Sequence, residues 1–228
     1  MFSSLPQSLP SGSIHELLFN LKKNVFLNNS FGIIHIGANK GQERFFYDKL
    51  DLNVVWIEAN PEVANILQHN VKDYPKQTAY QGLITDEVGK HYDLKITNNS
   101  CSSTLFDFDV HLEIYPHVHQ VNTIGLRSTT LNQFIKDKCI DISLYKVLLL
   151  DVEGSELLVL KGAGNILSNF DFIITEAMEY KCYKDGYTVK DMESYLHKMG
   201  FLAIERILQD SHPKGNSYDI LYKNFKVF

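Results

Sequence analysis

The chain has 228 residues, 44% of them apolar, enough to bury a full core and most simply one domain. A formal charge of -5 leaves no basic footprint, which argues against nucleic acid as acceptor or partner. No apolar run approaches a membrane span, the opening residues do not read as a signal peptide, and Cys101, Cys139 and Cys182 are scattered, so a reduced, cytoplasmic, non-membrane setting is expected.

In chain order, Ser13 and Glu16 form a capping-box pattern, and Ile14, Leu17, Leu18, Leu21 and Val25 recur at helical spacing through Phe26. This predicts a packing helix within an N-terminal extension over 1–30, ahead of one domain over 31–228. The apolar run at 33–36 breaks into a glycine-bounded turn, Gly37-Ala38-Asn39-Lys40-Gly41, and a helix is expected over 42–50 that buries Phe45, Phe46 and Leu50. A second apolar run, 54–57, ends in Glu58-Ala59-Asn60, and Pro61 opens a helix burying Val63, Ile66, Leu67 and Val71. Two βα units in succession predict a parallel sheet.

A third strand is expected over 79–84 and an added strand over 92–97, followed by an irregular insertion over 98–122 that reads as a wall or lid beside a site. Within it His117 and His119 lack the neighbours that would complete a zinc set. Thr130 with Gln133 caps a short helix, and the run at 145–152, apolar enough for a central strand, leads into Asp151-Val152-Glu153-Gly154-Ser155-Glu156. A buried strand at 172–176 ends in Glu176, Thr188 with Asp191 starts a helix through Met199, and 201–207 and 218–222 read as a closing antiparallel pair. The total is about seven core strands alternating with helices.

Glu58 stands roughly twenty residues beyond Gly37, where a βαβ unit sets a carboxylate against ribose hydroxyls. A dinucleotide fingerprint needs three glycines, and this loop offers Gly37, Asn39 and Gln42 at those positions. It also lacks the Lys-Ser/Thr ending of a P-loop. A ligand with ribose and no phosphates therefore fits best, and S-adenosylmethionine is such a ligand. The missing glycines count against a nicotinamide oxidoreductase, whereas a catalytically silent S-adenosylmethionine-binding module stays open.

With these residues in place, the chain resembles the FkbM family of S-adenosylmethionine-dependent methyltransferases from Ile33 to Tyr222. Ile36-Gly37-Ala38-Asn39-Lys40-Gly41-Gln42 is similar to the family's glycine loop, and Ile57-Glu58-Ala59-Asn60-Pro61 to its ribose strand. Asp151-Val152-Glu153-Gly154-Ser155-Glu156, with Val159-Leu160-Lys161-Gly162-Ala163 behind it, resembles its D-V-E-G-x-E block. Two departures stand out: His35 where the family usually has Asp ahead of the first glycine, and Leu149 where a lysine is common.

The resemblance implies a Rossmann-like class I methyltransferase: an α/β fold whose seven-stranded, mostly parallel sheet ends in an antiparallel last strand, with helices on both faces. It implies a cofactor site at His35, Gly37, Ala38, Asn39, Gly41, Glu58, Ala59, Asn60 and Asp151. It also implies O-methylation of a sugar or glycan hydroxyl, or of a polyketide-type or other small metabolite. An alcohol acceptor needs a base to take its proton, and Asp151, Glu153 and Glu176 are the candidates. Asp151 with Glu176 would offer two oxygen ligands to Mg²⁺, a thin basis for a metal. The competing reading of Asp151 and Glu153 is a capped turn whose carboxylates accept backbone N–H groups; Glu156, inside the helix, reads as structural.

Overall fold

The computed structural model describes residues 14–23 and 31–226. The expected cap Ser13 and the apolar positions Val25 and Phe26 lie outside these. The first helix, α1 (Ile14–Lys23), is followed by β1 (Gly32–Ile36), α2 (Arg44–Lys49), β2 (Asn53–Glu58), α3 (Pro61–Val71) and β3 (Gln77–Gln81). A peripheral region holds β4 (Leu83–Ile84), β5 (His91–Thr97), α4 (Val110–Ile114) and β6 (Gln120–Thr129). The chain then returns through α5 (Leu131–Asp137), β7 (Tyr145–Leu150), α6 (Glu156–Ala163), β8 (Phe172–Met178), α7 (Val189–Met199), β9 (Phe201–His212) and β10 (Gly215–Asn224).

Seven strands form one sheet in the order β3-β2-β1-β7-β8-β10-β9. β10 runs antiparallel to both of its neighbours, and the pairs from β3 to β8 are parallel. Successive strand residues point to opposite faces, so β1 sends Ile34 and Ile36 into one core and Ile33 into the other. The first core is covered by α5, α6 and α7 through Phe134, Leu160 and Leu196; the second by α1, α2 and α3 through Leu18, Tyr47 and Leu67. Burial on both faces is why 147–150 reads as an unbroken apolar run. No helix among the described residues is long and apolar enough to cross a membrane.

Helix ends follow their caps. Asn60 accepts the Glu62 N–H at the start of α3, with Pro61 behind it, and Thr188 with Asp191 closes a full capping box on α7.

Four local expectations need correction. In α2 it is Tyr47 that is buried, while Phe45 is 57% exposed, lying under the Arg44 guanidinium and edge-on to Tyr74. In α3, Ile66 is 44% exposed. The strand expected over 79–84 is two strands: Gly82 sits against the Phe134 ring, and Leu83–Ile84 leave the main sheet to pair with β6. Finally, the tract expected to be irregular to 122 already contains α4 and the first residues of β6, which joins β4 and β5 in a separate three-stranded sheet.

Candidate active site

The order in which strands are added to the sheet reverses between the parallel neighbours β1 and β7, and ligands in open α/β sheets bind at such a switch point, beyond the carboxyl ends of the strands. Two cavities that share a lining residue, Glu153, lie at this end of the sheet. The first, about 790 Å³ with its open mouth included, is lined by the turn after β1 (Gly37, Ala38, Asn39), by Gln42 and Glu43, by the end of β2 (Glu58, Ala59), by Gly82-Leu83-Ile84 and by Asp151 to Glu153. The second, about 440 Å³, runs from Glu153 and Glu156 past Glu176 to Tyr183, Tyr187 and Met192. Glu153 lines both cavities.

The glycine loop is held by close backbone contact. The Gly37 and Ala38 N–H groups both donate to the Ile57 carbonyl, at 2.9 and 3.2 Å. Gly37 has φ of 82°, and a Cβ there would stand 1.8 Å from the Asp151 carbonyl oxygen, so no other residue fits. The Glu58 carboxylate braces the loop: Oε2 accepts the Asn39 N–H at 2.9 Å and Oε1 the Asn60 N–H at 2.8 Å. Burial nonetheless raises its pKa, and Asp151 adds to this against those backbone donors.

The D-V-E-G-x-E turn separates its carboxylates by task. Glu156 Oε1 accepts the N–H groups of Val152 and Gly154, at 3.1 and 3.2 Å, which is the capping role. Glu153, with φ of 51° in the left-handed region, turns away from that cap. Burial pushes Asp151 up to about 6 and Glu156 up to about 7. Glu153 rises well above the carboxylate range, through burial first and Asp151 second, while the Tyr183 phenol opposes the rise.

Most of the expected cofactor residues line the first cavity: His35, Gly37, Ala38, Asn39, Glu58, Ala59 and Asp151. Gly41 and Asn60 do not. Gly41 lies under Leu67 of α3, and the Asn60 side chain is spent on the cap of that helix. His35 is buried, its ring 5.1 Å from that of Trp56 and its Nδ1 3.2 Å from the Tyr47 hydroxyl. Of the candidate bases, Asp151 lines only the first cavity and Glu176 only the second. Glu176 is not at a strand tip, because β8 continues to Met178, and it stands opposite Asp219 of β10. Burial and the surrounding carboxylates push Glu176 well up; burial, then Asp151, pushes Asp219 to about 7.

Among the described residues no three His, Cys, Asp or Glu side chains converge to hold a metal ion. Asp151 and Glu176 open onto different cavities, so the donor set does not fit Mg²⁺. His117 and His119 are exposed.

Sequence reasoning missed Glu43 and Tyr183. Glu43 lines the first cavity, its pKa raised by burial against a bond from its own N–H, with Asp151 adding to the rise. Its place just after the glycine loop was a usable signal; Tyr183, in a loop thirty positions from the residue it touches, offered none. The insertion lines the first cavity through Ser100, Cys101, Ser103, Thr104 and Leu105. Phe106 and Phe108 pack instead with Val110, Tyr180, Cys182 and Tyr183.

The FkbM methyltransferase domain model matches residues 35–203. Comparison with curated proteins returns no match. Among solved structures, magnesium protoporphyrin IX methyltransferase from Synechocystis PCC 6803 with bound SAM is similar at 10% identity, over 92% of this chain and 77% of that one, with a TM-score of 0.50. The same enzyme with SAH gives 10%, 92%, 80% and 0.51. A putative tRNA (m1A22) methyltransferase from Streptococcus pneumoniae gives 9%, 93%, 71% and 0.50. Identities this low speak to the fold alone, which is that of the Rossmann-like class I methyltransferases. The family match takes in every residue that lines the two cavities, and the chain belongs to the FkbM family of S-adenosylmethionine-dependent methyltransferases.

Proposed function

We propose that the protein is an O-methyltransferase that moves a methyl group from S-adenosylmethionine to a hydroxyl of a sugar or glycan, with Glu153 as the general base. The observation that carries this reading is the position of Glu153, a carboxylate of raised pKa at the junction of the two cavities.

The first cavity fits the cofactor. Glu58 has a further lone pair on each oxygen for the ribose hydroxyls, and Leu83, Ile84, Leu94 and Leu105 offer an apolar wall to the adenine. Glu43 and Asp151 face the cleft as two carboxylates suited to the methionine ammonium. With His35 turned into the core against Trp56, they take over the part of the acid the family usually carries there. Gly37, Ala38 and Asn39 line the cavity beside them and would border the bound cofactor.

Bound S-adenosylmethionine supplies a methyl group on a sulfonium, already a good leaving group. The protein's work is alignment, exclusion of water and removal of the acceptor proton. As the oxygen–carbon bond forms and the sulfur–carbon bond breaks, the hydroxyl proton passes to the Glu153 carboxylate and the sulfonium charge is discharged. A raised pKa makes that carboxylate a stronger base than one in water.

The second cavity supports a carbohydrate. Glu153 and Glu176 accept hydrogen bonds from hydroxyls, while Tyr183, Tyr187, Met178 and Met192 offer surfaces for C–H faces. Among the described residues neither cavity is lined by Lys or Arg, so a phosphate backbone finds no counter-charge there. The cytoplasm, where unpaired thiols persist, is the setting we assign. Mass spectrometry of a panel of saccharides, small hydroxylated metabolites and RNA after incubation with S-adenosylmethionine tests the reading. A methylated saccharide hydroxyl is the expected product, and methylation confined to RNA or to a nitrogen overturns it.

A further inference from the structure

Glu153 lies in a strained backbone conformation, among carboxylates, at the junction where the proposed chemistry needs it. The titratable groups close enough to act on its charge are Asp151 and Glu156 in its own turn, Glu176 of β8, Cys182 in the loop after β8, and Cys101 and Tyr115 of the insertion; none of these is a cation. Among the described residues one donor meets its carboxylate: the Tyr183 hydroxyl, 2.5 Å from Oε2. We infer that Tyr183 is the positioning residue for Glu153, aiming its carboxylate at the junction of the two cavities, and that the insertion over 98–122 is the clamp that holds the pair. The inference rests on the reading of Glu153 as the base.

Tyr183 is 2% exposed and has little freedom to leave. One edge of its ring lies so close to Gly154 that a Cβ there would meet Cδ2 at 2.5 Å. On another side His111 of α4 stacks on it, with centroids 5.3 Å apart and planes 24° from parallel. Phe108 bridges Tyr183 in antiparallel fashion, the His111 N–H donates to the Cys182 carbonyl at 3.0 Å, and the Lys184 N–H donates to the Asp107 carbonyl at 2.9 Å. From the same insertion the Thr104 hydroxyl donates to the Glu153 carbonyl at 2.7 Å. The insertion therefore grips Glu153 at its backbone directly and at its carboxylate through Tyr183. His111 is itself 2% exposed, and its Nδ1 has no hydrogen-bond partner among the described residues. Burial lowers its pKa, so it serves as a neutral packing ring.

A phenol that donates to a carboxylate favours the ionised form. Tyr183→Phe should move the Glu153 titration, followed by carbon-13 NMR of carboxyl-labelled glutamate, upward by on the order of one pH unit. The acid limb of kcat should move with it by the same amount, leaving a deficit on the acid side that closes as the pH is raised, with S-adenosylhomocysteine affinity unchanged. His111→Leu, which keeps the phenol and loosens its packing, should give a smaller shift in the same direction and serves if Tyr183→Phe does not fold. An unmoved Glu153 titration in either folded variant, or a loss of kcat equal at every pH, overturns the inference. Failure of the base reading shows separately, as full activity in Glu153→Gln.

Discussion

Removing the Glu58 carboxylate tests the cofactor assignment, and its size can be worked from the contacts already made. Each oxygen accepts one backbone N–H, from Asn39 or Asn60, which leaves a second lone pair on each for a ribose hydroxyl. A hydrogen bond to a charged group contributes about 1.5–3 kcal/mol net, and two bonds sharing one carboxylate fall short of twice that. Glu58→Ala should therefore cost about 1–3 kcal/mol of cofactor binding, a rise in Kd of roughly 5- to 150-fold. The substitution also frees the Asn39 N–H in the glycine loop, so melting temperature should drop as well. Glu58→Gln, which keeps one acceptor oxygen, should fall between wild type and Glu58→Ala in affinity. Because burial raises the Glu58 pKa, wild-type affinity should weaken on acidification as the carboxylate takes up its proton, and this component should be missing from Glu58→Ala. Calorimetric titration with S-adenosylhomocysteine over a range of pH reads all of this. An unchanged Kd in a folded Glu58→Ala protein would refute the reasoning.

Gly37→Ala puts a methyl group 1.8 Å from the Asp151 carbonyl oxygen and should abolish cofactor binding or folding; a melt and a titration matching wild type would contradict the close approach. Glu43→Gln should weaken S-adenosylmethionine by about tenfold, the scale of one charge-assisted bond, while sparing 5′-methylthioadenosine, which has no ammonium. Equal effects on the two ligands would remove Glu43 from that role. Asp151, Glu156 and Asp219 titrate at about 6, 7 and 7 in the folded chain, against about 4 when unfolded. The folded state binds their protons more tightly, so the associated stability is full below about pH 4 and is lost as pH rises through 6 to 7. The melting temperature of the ligand-free protein should fall from about pH 5 to pH 8; a rise across that window would contradict the buried, unneutralised carboxylates.

Strong contrasts made much of this legible in the sequence. Four fully buried residues in β7, Pro61 behind the Asn60 cap, and Gly37 at a positive φ each leave one reading open. What stayed hidden had weak contrast. β6 belongs to a small peripheral sheet and is exposed along most of its length, so no apolar alternation marks it. The six residues of α2 are too few to set its rotation, which is how Phe45 could be taken for Tyr47. In the site, the roles of Glu153 and Glu156 part only because Glu156 reaches back to two backbone N–H groups, and spacing alone does not reveal which acid of the turn does so.

In the proposed reaction Glu153 takes the acceptor proton, in a cofactor site that stands without it. Glu153→Gln keeps the shape and an oxygen, so transfer of an isotope-labelled methyl group to the saccharide identified as acceptor should fall by about a hundredfold or more, with the Kd for S-adenosylmethionine within about twofold of wild type. Transfer at the wild-type rate by the folded variant would contradict the account.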